Sequence, residues 1–444
     1  MRRTICAVRQ SDCASREGKG SSVEQTRKAL REILAGDLGF HDESSSYASH
    51  TVHAFAAKFP PQLPRVFVER LTERGDAVLD PMMGSGTALV EAALLGRRAV
   101  GVDIDPLALR LCRVKTTPLR GDCLIRAAQS AAVRALTLLM EPSRLCDEVA
   151  RRFDDETKVF LDYWFLPETQ RELMALVMSI EEEPDLNVRE FLRLVFSSVI
   201  ITKSGGVSRA RDLAHSRPHR VLSKKPRNAV EQFELRARKA AGAINELPAG
   251  LPPVELYRGD ARDLPLPDSS VDLVITSPPY ANAIDYMRAH KFSLVWLGEA
   301  VGKLSELRSS YIGSENCRGV GENHLPAETA TTIAALAAQD PRKARILEKY
   351  FADMKRVLAE ILRVLRPGSA AGIVVGPSTM RGLRIATHQH LGEIARDLGF
   401  DLVGMSQREL DRDRRMMPAR LGNHSMNGIE HRMHEEFVIG MVKP

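Results

Sequence analysis

From Asp76 onward the chain alternates short apolar runs with amphipathic helical stretches. A chain patterned this way buries both faces of a mostly parallel sheet under helices. The strands expected are Asp76–Asp80, Arg98–Asp103, Val254–Asp260, Val271–Ser277, Ala370–Gly376, Phe400–Met405 and Glu436–Val442. A helix is expected from Phe351 to Leu365, with Met354, Val357, Leu358, Ile361, Leu362 and Leu365 on one face. Pro367-Gly368 is expected to stop it before the fifth strand. The last two strands have no long helix between them and are expected to pair antiparallel.

Two stretches interrupt the alternation. Residues 107–250 separate the second and third strands by far more than one crossover needs. Most of that stretch is helical in pattern, as in Glu190 to Ile201. Its tail differs: between Lys203 and Arg227 eight basic residues (Lys203, Arg209, Arg211, Arg217, Arg220, Lys224, Lys225 and Arg227) face one acid, Asp212. The second interruption, 302–345, reads as loop with one helical piece. Residues 1–45 are polar and bear Ser and Gly, and read as a flexible arm with a helical stretch near Val23 to Leu34.

The bulk numbers fit a globular chain of one large domain with insertions or of two domains, since 444 residues can bury a full core. A net charge of +6 leans toward a polyanionic partner, but 63 basic and 57 acidic residues nearly cancel, so local distribution matters more. The cysteines (Cys6, Cys13, Cys112, Cys123, Cys146 and Cys317) form no Cys-x-x-Cys pair, which speaks against a zinc site or disulfide framework and for a reducing cytoplasm. Met1 to Cys6 carries basic residues with no apolar stretch behind them, unlike a secretory signal. The longest apolar stretch, Leu192 to Ile201, is broken by Ser197 and Ser198 and is too short to span a bilayer, so no membrane association is expected. His424, His431 and His434 lack ligand spacing, and no metal is expected.

Chemistry-bearing residues gather at the strand ends. Asp80-Pro81-Met82-Met83-Gly84-Ser85-Gly86-Thr87 follows the first strand at once. Gly84 and Gly86 permit positive φ and leave no Cβ between backbone and ligand. Thr87 opens a helix whose free N–H groups face that ligand. The second strand ends at Asp103, placed to accept from both ribose hydroxyls of a nucleotide-like cofactor. The third ends Gly259-Asp260-Ala261, where Asp260 can accept from an adenine amine. A Walker-type phosphate loop is a poor match because no Gly-Lys-Ser/Thr follows.

The fourth strand ends Thr276-Ser277-Pro278-Pro279-Tyr280. The amine of cytosine is a poor nucleophile because its lone pair is delocalised into the ring. Two acceptors for its hydrogens pull the nitrogen toward a tetrahedral shape, and the Ser277 hydroxyl and Pro278 carbonyl are suited to that task. Proline adds no N–H, so the turn offers acceptors only. The paired prolines hold those acceptors in place, and Tyr280 can stack on a base flipped out of its duplex. No Pro-Cys dipeptide occurs in the chain, which excludes the cysteine nucleophile of carbon-5 methylation.

With these residues the chain resembles the S-adenosylmethionine-dependent DNA amino-methyltransferases, which methylate cytosine at N(4) or adenine at N(6). Asp80–Thr87 is similar to their cofactor motif, Gly101-Val102-Asp103-Ile104-Asp105-Pro106 to their ribose motif, and Ser277–Tyr280 to their catalytic motif. A serine opening that motif is more typical of the cytosine enzymes. Ala57-Lys58-Phe59-Pro60-Pro61 is similar to the segment that closes over the methionine end of the cofactor.

The resemblance implies an α/β, Rossmann-like methyltransferase: a doubly wound, mostly parallel seven-stranded sheet with an antiparallel last strand and a helical insertion. It implies a catalytic domain of residues 46–118 and 250–444; the insertion, 119–249, departs from the family's usual motif order and is, by its basic loop, the candidate DNA-contact region. Its cofactor would be held by Lys58, Asp80, Pro81, Gly84, Ser85, Gly86, Thr87, Asp103, Ile104, Asp260 and Ala261, with Ser277, Pro278, Pro279 and Tyr280 catalytic. The basic residues of 203–227 would contact phosphate. DNA is the expected partner, with a cognate restriction or defence protein as another. An adenine-N(6) enzyme, an RNA base methyltransferase and a non-catalytic nucleic-acid-binding subunit stay open as alternatives.

Overall fold

Seven strands build the central sheet: β1 (Ala77–Asp80), β2 (Arg98–Asp103), β3 (Glu255–Arg258), β4 (Val271–Thr276), β5 (Leu365–Val375), β6 (Asp401–Glu409) and β7 (Glu435–Val442). The computed structural model describes residues 23–55, 58–202, 206–211, 218–281, 285–314, 324–410 and 434–444. The strand order is β6-β7-β5-β4-β1-β2-β3. All neighbours from β3 to β5 run parallel; β7 runs antiparallel to both β5 and β6. This is the Rossmann-like, doubly wound sheet with its last strand reversed. The chain starts at β1 and winds outward first one way and then the other, so the strand order reverses between β1 and β4. The crevice outside their carboxyl ends is where such sheets bind ligands.

The helices in chain order are α1 (Val23–Ala35), α2 (Gln62–Leu71), α3 (Thr87–Leu94), α4 (Pro106–Thr116), α5 (Gly121–Leu138), α6 (Pro142–Arg152), α7 (Asp155–Trp164), α8 (Pro167–Glu181), α9 (Leu186–Ile200), α10 (Ala229–Asn245), α11 (Met287–Leu294), α12 (Val301–Ser310), α13 (Ala327–Ala337), α14 (Pro341–Val364) and α15 (Thr387–Leu398). Local chemistry sets their starts. Asp105 caps α4 by accepting from Leu107 N at 2.8 Å, and Asp340 caps α14 by accepting from Lys343 N at 3.0 Å, each followed by a proline at the first helical position. α14 then buries Met354, Val357, Leu358 and Ile361 against the sheet, each contributing about 1.5–3 kcal/mol by leaving water.

Several expectations need correction. Residues 23–45 are not an arm. α1 buries Leu30, Ile33 and Leu34 in the core formed by α2 and the sheet, and a Cβ on Gly440 of β7 would meet Leu34 Cδ1 at 2.7 Å. Polar neighbours disguise that apolar row in the sequence. β5 begins at Leu365, directly after α14, so Pro367-Gly368 lies inside the strand and not before it. The stretch 302–345 is mostly helical, with α12, α13 and the start of α14 in its described part. The insertion is mostly helical, with a short antiparallel pairing of Ala210–Arg211 with His219–Arg220 between α9 and α10, and its core extends through Phe292 of α11, Trp296 and Leu304 of α12.

Candidate functional site

The carboxyl ends of β1, β2, β3 and β4 open onto one cleft, placed where sheets of this kind bind ligands. Its floor is the turn after β1. Gly84 and Gly86 have φ of +45° and +71°. A Cβ on Gly86 would sit 2.5 Å from Cys112 Sγ of α4, and one on Gly84 would sit 3.2 Å from the ring of Phe55. Both conformation and space therefore demand glycine there.

Two carboxylates anchor the turn. Asp103 Oδ2 accepts from Gly84 N at 2.9 Å and Oδ1 accepts from Asp105 N at 2.9 Å. Each oxygen keeps a lone pair facing the cleft, as a diol acceptor requires. Asp80 Oδ1 accepts from the Thr276 hydroxyl at 2.6 Å, which joins the ends of β1 and β4. Burial, reinforced by Asp103, pushes Asp80 up to about 7 against the hydrogen bonds from Thr276 and Met82 N. Burial and the charge of Asp105 push Asp103 up to about 6. A cluster of carboxyls held short of full ionisation suits a cation, because the cation returns what desolvation costs.

At the far end, Asp260 is held by Arg262, whose Nη2 donates to Oδ2 at 2.6 Å. Burial works to raise its pKa, but Arg262 outweighs it and the net direction is down. Ala261 lines the cleft beside it. Lys58 and Phe59 line the opposite end, and Lys58 Nζ donates to His50 O at 2.8 Å. Pro81, Ser85, Thr87 and Ile104 complete the wall. Gly86 lies behind it as the cap of α3, and Ala57 falls outside the described residues.

Ser277 and Pro279 line the same cleft as Asp80, Gly84 and Asp103. The two strand-end motifs thus meet across the β1–β4 pairing, where Leu79 lies opposite Val274. Pro278 is buried beneath the turn. Tyr280 departs from expectation. Its half-buried ring packs on the sheet core, and its hydroxyl donates to Glu436 Oε1 of β7 at 2.7 Å. The aromatic rings that line the cleft are Phe55, Phe59, Tyr286 and Tyr311, with Phe55 and Tyr286 stacked at 5.3 Å between centroids.

The family model described as DNA methylase, of the N6/N4 methyltransferase type, matches residues 10–113, which include the glycine turn and Asp103. A Type II methyltransferase, M.MvaI of Kocuria varians, is 25% identical over 422 residues, spanning 88% of this chain and 91% of the relative. The chain is thus similar to DNA amino-methyltransferases in its first quarter and to a Type II methyltransferase over most of its length. Over a shorter stretch, M2.DpnII of Streptococcus pneumoniae, also a Type II methyltransferase, is 42% identical over 90 residues, 19% of this chain and 30% of the relative. Among solved structures, a SAM-dependent methyltransferase of Methanosarcina mazei is 13% identical with a TM-score of 0.29, covering 85% of this chain and 96% of the other. The match to residues 10–113 stops short of Ser277–Tyr280.

The basic stretch divides. Lys203 and Arg217 lie outside the described residues. Arg211, Lys225 and Arg227 are exposed. Lys224 is turned inward, donating to Ala210 O at 2.9 Å and to Ser208 O, and burial pushes it down to about 8. Arg220 lies 4.1 Å above the ring of Tyr163, and Arg209 is half-buried, its backbone N donating to Trp164 O at 2.8 Å. Lys224 therefore staples the loop, a correction to its reading as a phosphate contact. Trp164 packs edge-on to Phe292 at 4.9 Å, as a core residue does. Among the described residues no cluster of His, Cys, Asp and Glu could hold a metal, and no single helix is long and apolar enough to cross a membrane.

One residue behind the glycine turn escaped sequence reasoning. Lys115 of α4 is 2% exposed and donates Nζ to Ser85 O at 2.7 Å. Burial and the charge of Lys58 push its ammonium down to about 7. A signal existed: Leu107, Leu111 and Lys115 recur every fourth residue, which sets the lysine on the helix's buried row. A second buried group, Glu91 of α3, accepts from Tyr47 Oη at 2.8 Å and lies 2.7 Å from His50 Nε2, tying the segment before α2 to the wall of the cleft.

Proposed function

We propose that the protein transfers a methyl group from S-adenosylmethionine to the exocyclic N(4) amine of cytosine in DNA. The observation that carries this reading is the shared cleft: Ser277 and Pro279 line it together with Asp80, Gly84 and Asp103, and Thr276 is hydrogen-bonded to Asp80. S-adenosylmethionine, when bound, supplies an electrophilic methyl on a sulfonium. Asp103 would accept from its ribose, Asp260 and Ala261 would hold its adenine, and Asp80 and Lys58 would hold its methionine end. Ser277 Oγ and the Pro278 carbonyl accept the two amine hydrogens of a base flipped out of the duplex, which localises the nitrogen lone pair. The half-buried ring of Tyr280 forms the wall beside them. Placement and charge complementarity do the work, with no covalent bond to the protein.

Serine in place of an acid at position 277 favours cytosine over adenine within the same chemistry. DNA is named in the description of the family model that matches residues 10–113, and the exposed cations Arg211, Lys225 and Arg227 suit its backbone. Incubation with methyl-labelled cofactor tests the reading: label is expected in duplex DNA, and label confined to structured RNA, or none, overturns it.

The acid cluster gives the cofactor step a pH dependence. A sulfonium and an ammonium beside Asp80 and Asp103 favour the ionised carboxylates, so binding below about pH 7 must release protons. Affinity is expected to rise several-fold from pH 5.5 to pH 8 and then level off. Titration calorimetry in buffers of different ionisation enthalpy checks this; affinity that is flat over the range contradicts it.

A further inference from the structure

Asp103 owes its aim to its neighbours. Its Oδ2 accepts from Gly84 N and its Oδ1 from Asp105 N, each at 2.9 Å. The first donor belongs to the glycine turn. The second is only as fixed as Asp105 itself, and the Asp105 side chain is held from two sides. Its Oδ1 accepts from Leu107 N at 2.8 Å at the start of α4, and its Oδ2 lies 2.6 Å from Nδ1 of His290 on α11. Asp105 and His290 are 4% and 3% exposed and stand 185 residues apart in the chain. Burial works to raise the pKa of Asp105, but His290 and Leu107 N outweigh it and the net direction is down. An ionised carboxylate is acceptor-only, so Nδ1 carries the hydrogen and donates it.

The fold fixes His290 in turn. Its ring lies 5.4 Å from the ring of Phe55 and 6.0 Å from that of Tyr286, between centroids, and both of those rings line the cleft. Further along α11, Ser293 donates to His290 O at 3.1 Å and accepts from the Ser197 hydroxyl of α9 at 3.0 Å. His53 Nε2 lies 3.1 Å from the same Ser197 Oγ. The insertion and the segment before α2 thus lock α11, and with it the imidazole, against the turn after β2. The imidazole offers a flat apolar body to two rings and one aimed donor to the carboxylate, which a lysine on its flexible stem does not.

Resting on the proposed function, we infer that His290 is a positioning residue for the cofactor: it holds Asp105, and through the Asp105 amide it aims the Asp103 carboxylate at the two ribose hydroxyls of S-adenosylmethionine. A buried acceptor that loses its donor carries a free-energy cost until it moves. Without the imidazole hydrogen, Asp105 turns toward the open cleft that it lines, and its amide leaves Asp103 Oδ1. Asp103, held by Gly84 N alone, then rotates and no longer presents both oxygens to a diol.

The test separates aim from packing. His290→Phe keeps a ring against Phe55 and Tyr286 and removes the donor. His290→Asn removes the ring and keeps a donor, its Nδ2 standing where Nδ1 stood. The probes are S-adenosylhomocysteine, the demethylated cofactor, and its 2′,3′-dideoxyribose analogue, with dissociation constants measured by calorimetry at pH 8. For S-adenosylhomocysteine, His290→Phe is expected to bind about tenfold more weakly than the wild type, and His290→Asn within threefold of it. For the analogue, which has no diol to meet, all three proteins are expected to agree within threefold. A histidine that only packed the cleft would weaken both ligands alike, and phenylalanine would replace it better than asparagine. His290→Asn reports even where His290→Phe fails to fold. His290→Phe at wild-type affinity, His290→Asn tenfold weaker, or equal losses on both ligands overturn the assignment of His290 alone. A wild type that binds neither ligand, or binds S-adenosylhomocysteine no better than the analogue, overturns the proposed cofactor site and this assignment with it.

Discussion

The double variant Ser277→Ala, Tyr280→Ala is expected to bind S-adenosylmethionine as the wild type does and to transfer methyl to DNA at least 100-fold more slowly. Asp80, Gly84, Asp103 and Asp260 make their bonds among themselves and with Thr276 and Arg262, so the cofactor wall does not depend on either side chain. What the variant removes is the side-chain acceptor for the amine and the wall behind it. Loss of one well-placed polar partner at a reacting centre typically costs about 10²–10³ in rate, equivalent to about 2.7–4 kcal/mol of barrier. Calorimetry for the cofactor and single-turnover transfer for the base give the two readouts. Undiminished transfer would remove Ser277 and Tyr280 from the mechanism.

Gly86→Ala is expected to weaken cofactor binding at least tenfold and to lower stability. The residue has φ of +71°, and its new Cβ would meet Cys112 Sγ at 2.5 Å and Cys112 Cβ at 3.3 Å. Cys112 is buried on α4 and has no long side chain to swing away, so the turn has to move. Moving it displaces Gly84 N from Asp103 and Ser85 O from Lys115, the two bonds that shape the floor of the cleft. The left-handed conformation alone costs about 1–2 kcal/mol for a residue with a side chain. Gly382→Ala is the control: it has φ of +81° with nothing within 4 Å of a Cβ, so it pays the backbone cost and keeps cofactor affinity. Thermal melts and calorimetry on both variants check the pair; equal affinity in Gly86→Ala and wild type would contradict the account of the turn.

A one-dimensional reading reaches some parts of this cleft and not others. The shared placement of Asp80, Gly84, Asp103, Asp260 and Ser277 on one cleft was legible because each ends a strand or lies in the turn after one, and a parallel sheet brings strand ends to one edge whatever the rest of the chain does. The sheet itself was legible for the same reason, since apolar runs alternating with helices leave few arrangements. Lys115 was half legible, as a cation on a buried row whose partner could not be named. Glu436 was not legible at all. It reaches Tyr280 only because β7 inserts between β5 and β6, a placement set by packing across the whole sheet. The direction of Tyr280 followed from it, and for that reason a ring expected to lie free over the base proved tethered by its hydroxyl. The basic stretch misled at Lys224 because composition reports charge and not the carbonyls of Ser208 and Ala210 that draw the ammonium inward.

Central to everything here is a methyl group leaving a sulfonium at the glycine turn and arriving on an amine held at Ser277. Duplex DNA treated with the protein and methyl-labelled S-adenosylmethionine, hydrolysed to nucleosides and resolved by mass, tests that most directly. The account predicts label on N(4)-methyldeoxycytidine. Label on a ring carbon such as C5 of cytosine, or DNA that stays unlabelled while the cofactor binds, would contradict it.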